Sequence, residues 1–223
     1  LDAVMADYGT GQRGALRLAC TSSALTGRLP ELLARYAGGH PGIRIDIQEM
    51  GAARALLALE EGRADLAIVS DHYDFTRFEI KAFEDERVWV LAPPDHPLAP
   101  RLDTRTPIAF ADLVDHPIVG IHHTGSLDRL LADAAREGNK TLSETLRVES
   151  FPALVRMVEA GFGIGFLRST SLHLLAGTDL VCAPVADPWA QRQLLVARRK
   201  SSPLSAAMKS FLALCSDTYA PSI

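Results

Sequence analysis

The sequence predicts an α/β fold in two halves, on three observations. Short apolar strand-like runs alternate with amphipathic helical runs from residue 15 onward. The helical runs close on glycine signals, at Gly38-Gly39-His40-Pro41 and again at Gly62. The Pro-rich stretch PPDHPLAPRLDTRTP interrupts the alternation once, after which it resumes. A strand–helix–strand order of this kind predicts parallel sheets with helices against their faces.

ALRLAC (15–20) is a short apolar strand. The run after it places Leu25, Leu29, Leu32, Leu33 and Tyr36 on one face, predicting a single helix over 24–37. IRIDIQ (43–48) alternates with period two, AARALLALEEG is helical, and ADLAIVS (64–70) is a buried strand. FEIKAF and RVWVLAP read as two further strands. Beyond the Pro-rich stretch, HPIVGI leads into a helix at 125–137 and TLRVES into one at 151–160. GIGFL leads into a short helical segment at 169–175. DLVCAPV and RQLLVARR are later strands. The last helix carries Leu204, Ala207, Met208, Phe211, Leu212 and Cys215 on one stripe. The halves divide near residues 85–95, and the final strand and helix are expected to return to the first lobe. At the start, Leu1, Val4, Met5 and Tyr8 form one helical stripe, which fits either the tail of a longer helix or a short terminal one.

Composition bounds the function. The 223 residues carry a formal charge of −4, which argues against this chain itself gripping nucleic acid. No run of about 18 apolar residues predicts a membrane span. The opening LDAVMADYGT lacks the basic and apolar segments of a signal peptide. Cys20, Cys182 and Cys215 are widely spaced without a CxxC, predicting buried reduced thiols and a cytoplasmic protein. No metal site and no cofactor are expected.

The residues able to meet a ligand lie at strand-to-helix junctions. These are Thr21-Ser22-Ser23, then His122-His123-Thr124-Gly125-Ser126, then Ser150 ahead of Phe151-Pro152. In open α/β sheets ligands bind beyond the carboxyl ends of strands, where small hydroxyls donate without filling the space. A single such hydroxyl is most often only a helix cap. One of the three at 21–23 is expected to cap the helix, and at least one other to face a ligand. His122 and His123 point to opposite faces if on a strand, so a shared metal is disfavoured. Asp65 is expected to make a structural contact. There is no GxSxG elbow and no Walker-type loop. In AGFGIGF the glycines follow a helix and precede a strand, the reverse of a dinucleotide loop; Gly161 reads as the helix C-cap and the rest as close backbone packing. No catalytic constellation is found.

GALRLACTSSALTGRLPELLARYAGGHPGIRIDI resembles the opening of the effector-binding domain of LysR-type transcriptional regulators. The resemblance continues through EEGRADLAIVS, VWVLAPPDHPLA and VESFPALVRMVEAGFGIGFL. It implies two Rossmann-like subdomains with an interdomain cleft, as in type II periplasmic binding proteins. Residues 1–13 would be the end of a linker helix with its connector, 14–88 and 195–223 subdomain I, and 89–194 subdomain II. Crossovers would fall near 85–92 and 191–197. A small-molecule effector, expected to be anionic from the hydroxyls and helix N-termini of the junctions, would be met by Thr21, Ser22, Ser23 and Ser70 on one side. His123, Thr124, Ser126, Ser150, Phe151 and Phe166 would meet it on the other, the two phenylalanines as an apolar wall. The family implies a homodimer or tetramer, with helix 24–37 antiparallel to the partner's helix 126–137. DNA would be bound only by an N-terminal winged helix-turn-helix absent from this chain. The competing readings are a periplasmic-type solute-binding protein and a small α/β enzyme.

Overall fold

β1 (Gly14–Cys20) shows how the strands are specified, because its inward residues go to two different cores. Leu16, Leu18 and Cys20 join one apolar cluster and Ala19 joins another, as the period-two alternation of a strand requires. A computed structural model describes residues 14–121 and 126–217, and of Ser126 only its place at a helix start. The expected helical stripe at 1–8 lies outside the described residues. The chain divides into two compact units: residues up to Asp85 together with those from Gln193 onward, and Glu86–Arg192.

In the first unit β1 pairs in parallel with β2 (Ile43–Glu49) and with β3 (Leu66–Ser70). β3 pairs antiparallel with β9 (Gln191–Arg199), Ala67 facing Ala197 and Ser70 facing Leu194. The expected single helix over 24–37 is two: α1 (Ser22–Thr26) and α2 (Leu29–Gly39). The break falls at Gly27, where a Cβ would lie 2.3 Å from the Glu84 carboxylate. Glu84 also accepts from the Arg28 N–H at 3.1 Å, so a side chain from a distant strand occupies the corner. α3 (Ala52–Glu60) ends at Gly62, whose φ of +73° suits a residue without a Cβ. On one face of the sheet, Leu29, Leu32 and Tyr36 of α2 meet Phe211 of the last helix, α7 (Ala206–Asp217). The Tyr36 hydroxyl, on a side chain 1% exposed, donates to the Ala207 carbonyl at 2.9 Å. The other face is covered by α3, through Ala55, Ala58 and Leu59. Asp65 makes the structural contact expected of it, accepting from the Arg17 N–H and guanidinium at 2.8 and 2.7 Å.

β4 (Phe78–Ala92) corrects the two-strand reading of FEIKAF and RVWVLAP. The strand continues through Glu84, Asp85 and Glu86, which lie between the two expected strands, and each carboxylate has its own partner. Asp85 accepts from Gln193 Nε2 at 3.0 Å, and Glu86 from the Arg168 guanidinium at 2.9 Å.

In the second unit, the end of β4 pairs antiparallel with β7 (Gly165–Arg168) and β8 (Val181–Pro184). β5 (Ile118–Ile121) and β6 (Glu144–Val148) form a parallel pair. The Pro-rich stretch holds the short helix α4 (Ala99–Leu102). α5 (Ser126–Glu137) and α6 (Phe151–Glu159) follow β5 and β6 respectively, and the 169–175 segment is a 3-10 helix. Two apolar clusters again take alternate residues: Val88, Val90 and Phe166 in one, Leu91 and Leu167 in the other.

Near α4, His96 accepts the Leu98 N–H on Nδ1 at 3.2 Å, and its ring lies 5.1 Å from that of His116. Burial first, and then the neighbouring His116, hold the His96 pKa below its ordinary 6.5, against the opposing pull of Asp95. A histidine depressed in the folded state contributes stability that is present above the unfolded pKa. That contribution is lost as pH falls through about 6.5 toward the folded value. Chemical denaturation is therefore expected to show a lower midpoint at about pH 5 than at about pH 8, with the loss smaller in His96→Gln. Equal losses in both proteins would contradict this.

Candidate functional site

The first unit gathers its junction residues at the carboxyl ends of three parallel strands. β1 ends at Cys20, β2 at Glu49 and β3 at Ser70, in continuous register. The Thr21 N–H donates to the Ile68 carbonyl at 3.1 Å, and the Met50 N–H to the Cys20 carbonyl at 2.9 Å. These bonds pin the chain as it leaves the sheet. Asp71, just after Ser70, exchanges backbone hydrogen bonds with Gln193, its N–H donating at 3.0 Å and its carboxylate accepting at 3.2 Å.

The three hydroxyls do not behave as caps, which corrects the expectation that one of them would. Thr21 holds the N-cap position of α1 in extended backbone geometry, yet its side chain makes no cap hydrogen bond. Instead the Ala24 N–H goes to the Thr21 carbonyl at 3.1 Å, a one-turn closure that leaves the hydroxyl unused. The Thr21 Oγ1 is buried and has no hydrogen-bond partner among the described residues. Ser22 donates to Glu49 Oε1 at 2.6 Å. Ser23 is half-buried and helical, and it accepts at its carbonyl from the Gly27 N–H at 3.0 Å. Ser70 is 2% exposed. An orphaned buried hydroxyl costs about 1–3 kcal/mol, so the one at this strand end stands out.

Glu49 is the residue that sequence reasoning missed. The strand read from the sequence, 43–48, stops one residue short of Glu49, which ends β2 in the structure. Its carboxylate also bears on Cys20, whose thiol is pushed up to about 12, by burial first and Glu49 second. Cys20 therefore stays a neutral thiol and supplies no nucleophile.

In the second unit Ser150 is an N-cap: its Oγ accepts from the Ala153 N–H at 3.4 Å at the start of α6, with Pro152 in the first turn. Phe151 is half-buried and packs against both apolar clusters of its unit. Phe166 is 2% exposed and lies 5.9 Å from the Phe110 ring, so the expected apolar wall at this position is core instead. The reason is register: on β7 Phe166 points to the side of Val88 and Val90, and the void beside it is only about 10 Å³. His122, His123, Thr124 and the Ser126 side chain lie outside the described residues. Arg147, on β6, is tied to Glu144 at 2.7 Å and to Asp128 of α5 at 3.5 Å. Hydrogen bonding to Glu144 raises its pKa, so it remains a cation engaged within its own unit. Among the described residues no group of three or more His, Cys, Asp or Glu side chains could hold a metal ion. No described helix is long and apolar enough to cross a membrane.

The structure thus brings Thr21, Ser22, Ser23 and Ser70 to one sheet end of the first unit. It brings Ser150 and Phe151 to the carboxyl side of the β5–β6 pair in the second. Over residues 9–220 the sequence matches the family described as the LysR substrate binding domain. A probable nitrogen assimilation transcriptional activator of Synechocystis is 31% identical over 80% of this chain and 54% of its own length. The chain spans 54–64% of the length of three curated relatives that it matches. Among solved structures, the BenM effector binding domain with its effector benzoate superposes with a TM-score of 0.80 at 22% identity, covering 92% of each chain. The Synechocystis CcmR regulatory domain in complex with 2-PG gives 0.80 at 23% identity, covering 92% of this chain and 98% of that one.

Proposed function

Because this chain belongs to the LysR substrate binding domain family, we propose that it is the sensing part of a transcriptional regulator. It would bind a small anionic effector at its strand-to-helix junctions. The observation that carries the reading is the buried Thr21 hydroxyl without a partner at the carboxyl end of β1. A ligand oxygen would supply the acceptor that the protein withholds. Within the second unit, the nine-residue helix α6 with its Ser150 cap presents a positive dipole end at that unit's own junction. Glu49, fixed on Ser22, places a carboxylate at the same sheet end as Thr21. Each negative charge on a ligand there meets the repulsion of that carboxylate, so a monoanion is expected to bind better than a dianion. Benzoate, the effector in one structural neighbour, is an acid of this class.

Binding would act by differential affinity for two conformations, since a ligand with equal affinity for both shifts nothing. The chain would sense without catalysing, in the cytoplasm. Its DNA-binding segment would lie upstream, and copies would pair through the region of α2 and α5.

The test is calorimetric titration of the chain with benzoate, phthalate, propanoate and succinate. Saturable binding with each monocarboxylate tighter than its dicarboxylate partner supports the proposal. Absence of binding across the panel, or a preference for the dianions, contradicts it.

A further inference from the structure

The first unit contains a groove apart from the strand-end junctions, its floor continuous with the core through Val196, Leu204 and Leu212. It runs beside α7, against β4 and β9, and encloses about 430 Å³. Small-ligand pockets typically span about 300–1,000 Å³. Its apolar surface comes from Ile80, Leu204 and Leu212, with Ile80 45% exposed. An isoleucine left this open on a strand is unpacked surface, not core.

The charge around the groove is one-sided. Lys81, Arg198 and Lys209 line it, against a single acid, Glu79. Glu79 is paired with Arg198, and so it is already neutralised. Lys81 Nζ donates to the Ser216 hydroxyl at 2.9 Å, a neutral acceptor that leaves its charge uncompensated. Lys209 projects from α7 beside them and is exposed. The groove therefore pairs an apolar floor with two ammonium groups whose charge no described acid within it balances.

We propose that this groove is a second ligand site, for an amphiphilic anion with one acidic head and an aliphatic body. The head would sit between Lys81 and Lys209, and the chain would lie along Ile80, Leu204 and Leu212. Apolar area supplies the attraction, at about 25 cal/mol per Å² removed from water, and the lysines fix the orientation and the sign of the head. This site is separate from the junction that holds Thr21 and stands whether or not that junction binds benzoate.

The experiment titrates octanoate into the chain, followed by calorimetry and by amide chemical shifts. The variants are Lys81→Gln combined with Lys209→Gln, Leu212→Asn, and Thr21→Val as the control for the other junction. Saturable binding is expected, with octanol weaker than octanoate. Loss of two exposed ionic contacts is expected to weaken octanoate by roughly three- to tenfold, with binding retained in Thr21→Val. Leu212→Asn is expected to weaken octanoate and octanol alike. Octanoate binding that ignores the lysine pair overturns the proposal, as does binding lost in Thr21→Val alone. So does a wild-type chain that self-associates through this face, shown by sedimentation and abolished by Ile80→Asp without any octanoate binding.

Discussion

Glu86→Ala is expected to cost the second unit about 3–5 kcal/mol, the largest loss we anticipate from any single side chain. Glu86 and Arg168 are 0% and 4% exposed at their side chains and meet at 2.9 Å, with the Thr170 hydroxyl at 3.5 Å from the same carboxylate. Burying such a pair is worth little against an apolar alternative, because desolvation offsets the attraction. Removing one member is different, for the buried guanidinium then loses the carboxylate that it meets at 2.9 Å. Both tryptophans, Trp89 and Trp189, lie in this unit, so their fluorescence reports its unfolding in denaturant. Glu86→Gln keeps the hydrogen-bonding shape without the charge and is expected to lose less than the alanine variant. A loss below about 1 kcal/mol for Glu86→Ala would show that the pair is not buried as described.

Gly163→Ala is expected to be nearly as damaging, at about 3–5 kcal/mol. Gly163 has φ +136°, a region that residues with a Cβ rarely occupy, and a Cβ there would lie 2.2 Å from the Pro117 carbonyl oxygen. That carbonyl cannot retreat freely. It accepts the Ile164 N–H at 2.8 Å, while the Val119 N–H returns to the Ile164 carbonyl at 2.9 Å. The contact thus joins the end of the α6 turn to the start of β5. Gly161 is the internal control: its φ is +82°, but nothing lies within 4 Å of a built Cβ. Gly161→Ala should cost about 1 kcal/mol, from backbone strain alone. If the two alanine variants unfold at the same denaturant concentration, the close approach at Gly163 is not what this glycine serves.

That glycine run was legible in the sequence because its signal is local. A glycine ending a helix, followed by glycines before an apolar strand, has few physical uses, and both uses read from it hold: left-handed closure at Gly161, close approach at Gly163 and Gly165. The alternation of strands and helices was legible for the same reason, since period two and period 3.6 are properties of neighbours. What failed depended on partners far along the chain. The continuity of β4 across residues 84–86 was not legible because Arg28, Gln193 and Arg168, which satisfy those carboxylates, lie 56, 108 and 82 residues away. The helix break at Gly27 has the same origin, in a carboxylate arriving from β4. Phe166 was misplaced because a strand's two faces look alike when both are buried, and the sequence does not say which face meets the core.

The hydroxyl run at Thr21-Ser22-Ser23 shows both sides of this. Its position at a strand end was plain, and a surplus of hydroxyls over caps pointed to a ligand. That the Thr21 hydroxyl would not cap the helix, and that Glu49 would claim Ser22, came only from the packing of three strand ends.

The central claim is that the Thr21 hydroxyl is kept for a ligand. Thr21→Val tests it directly, because the change is nearly isosteric and should move two observables in opposite directions. Without ligand, replacing an unpartnered buried hydroxyl by a methyl is expected to leave stability unchanged or raise it by up to about 1 kcal/mol. Benzoate affinity is expected to fall by about ten- to a hundredfold, the worth of one hydrogen bond to a charged acceptor. A Thr21→Val chain that is less stable and binds benzoate as tightly as the wild type would contradict the account, for the hydroxyl would then serve the fold and not the ligand.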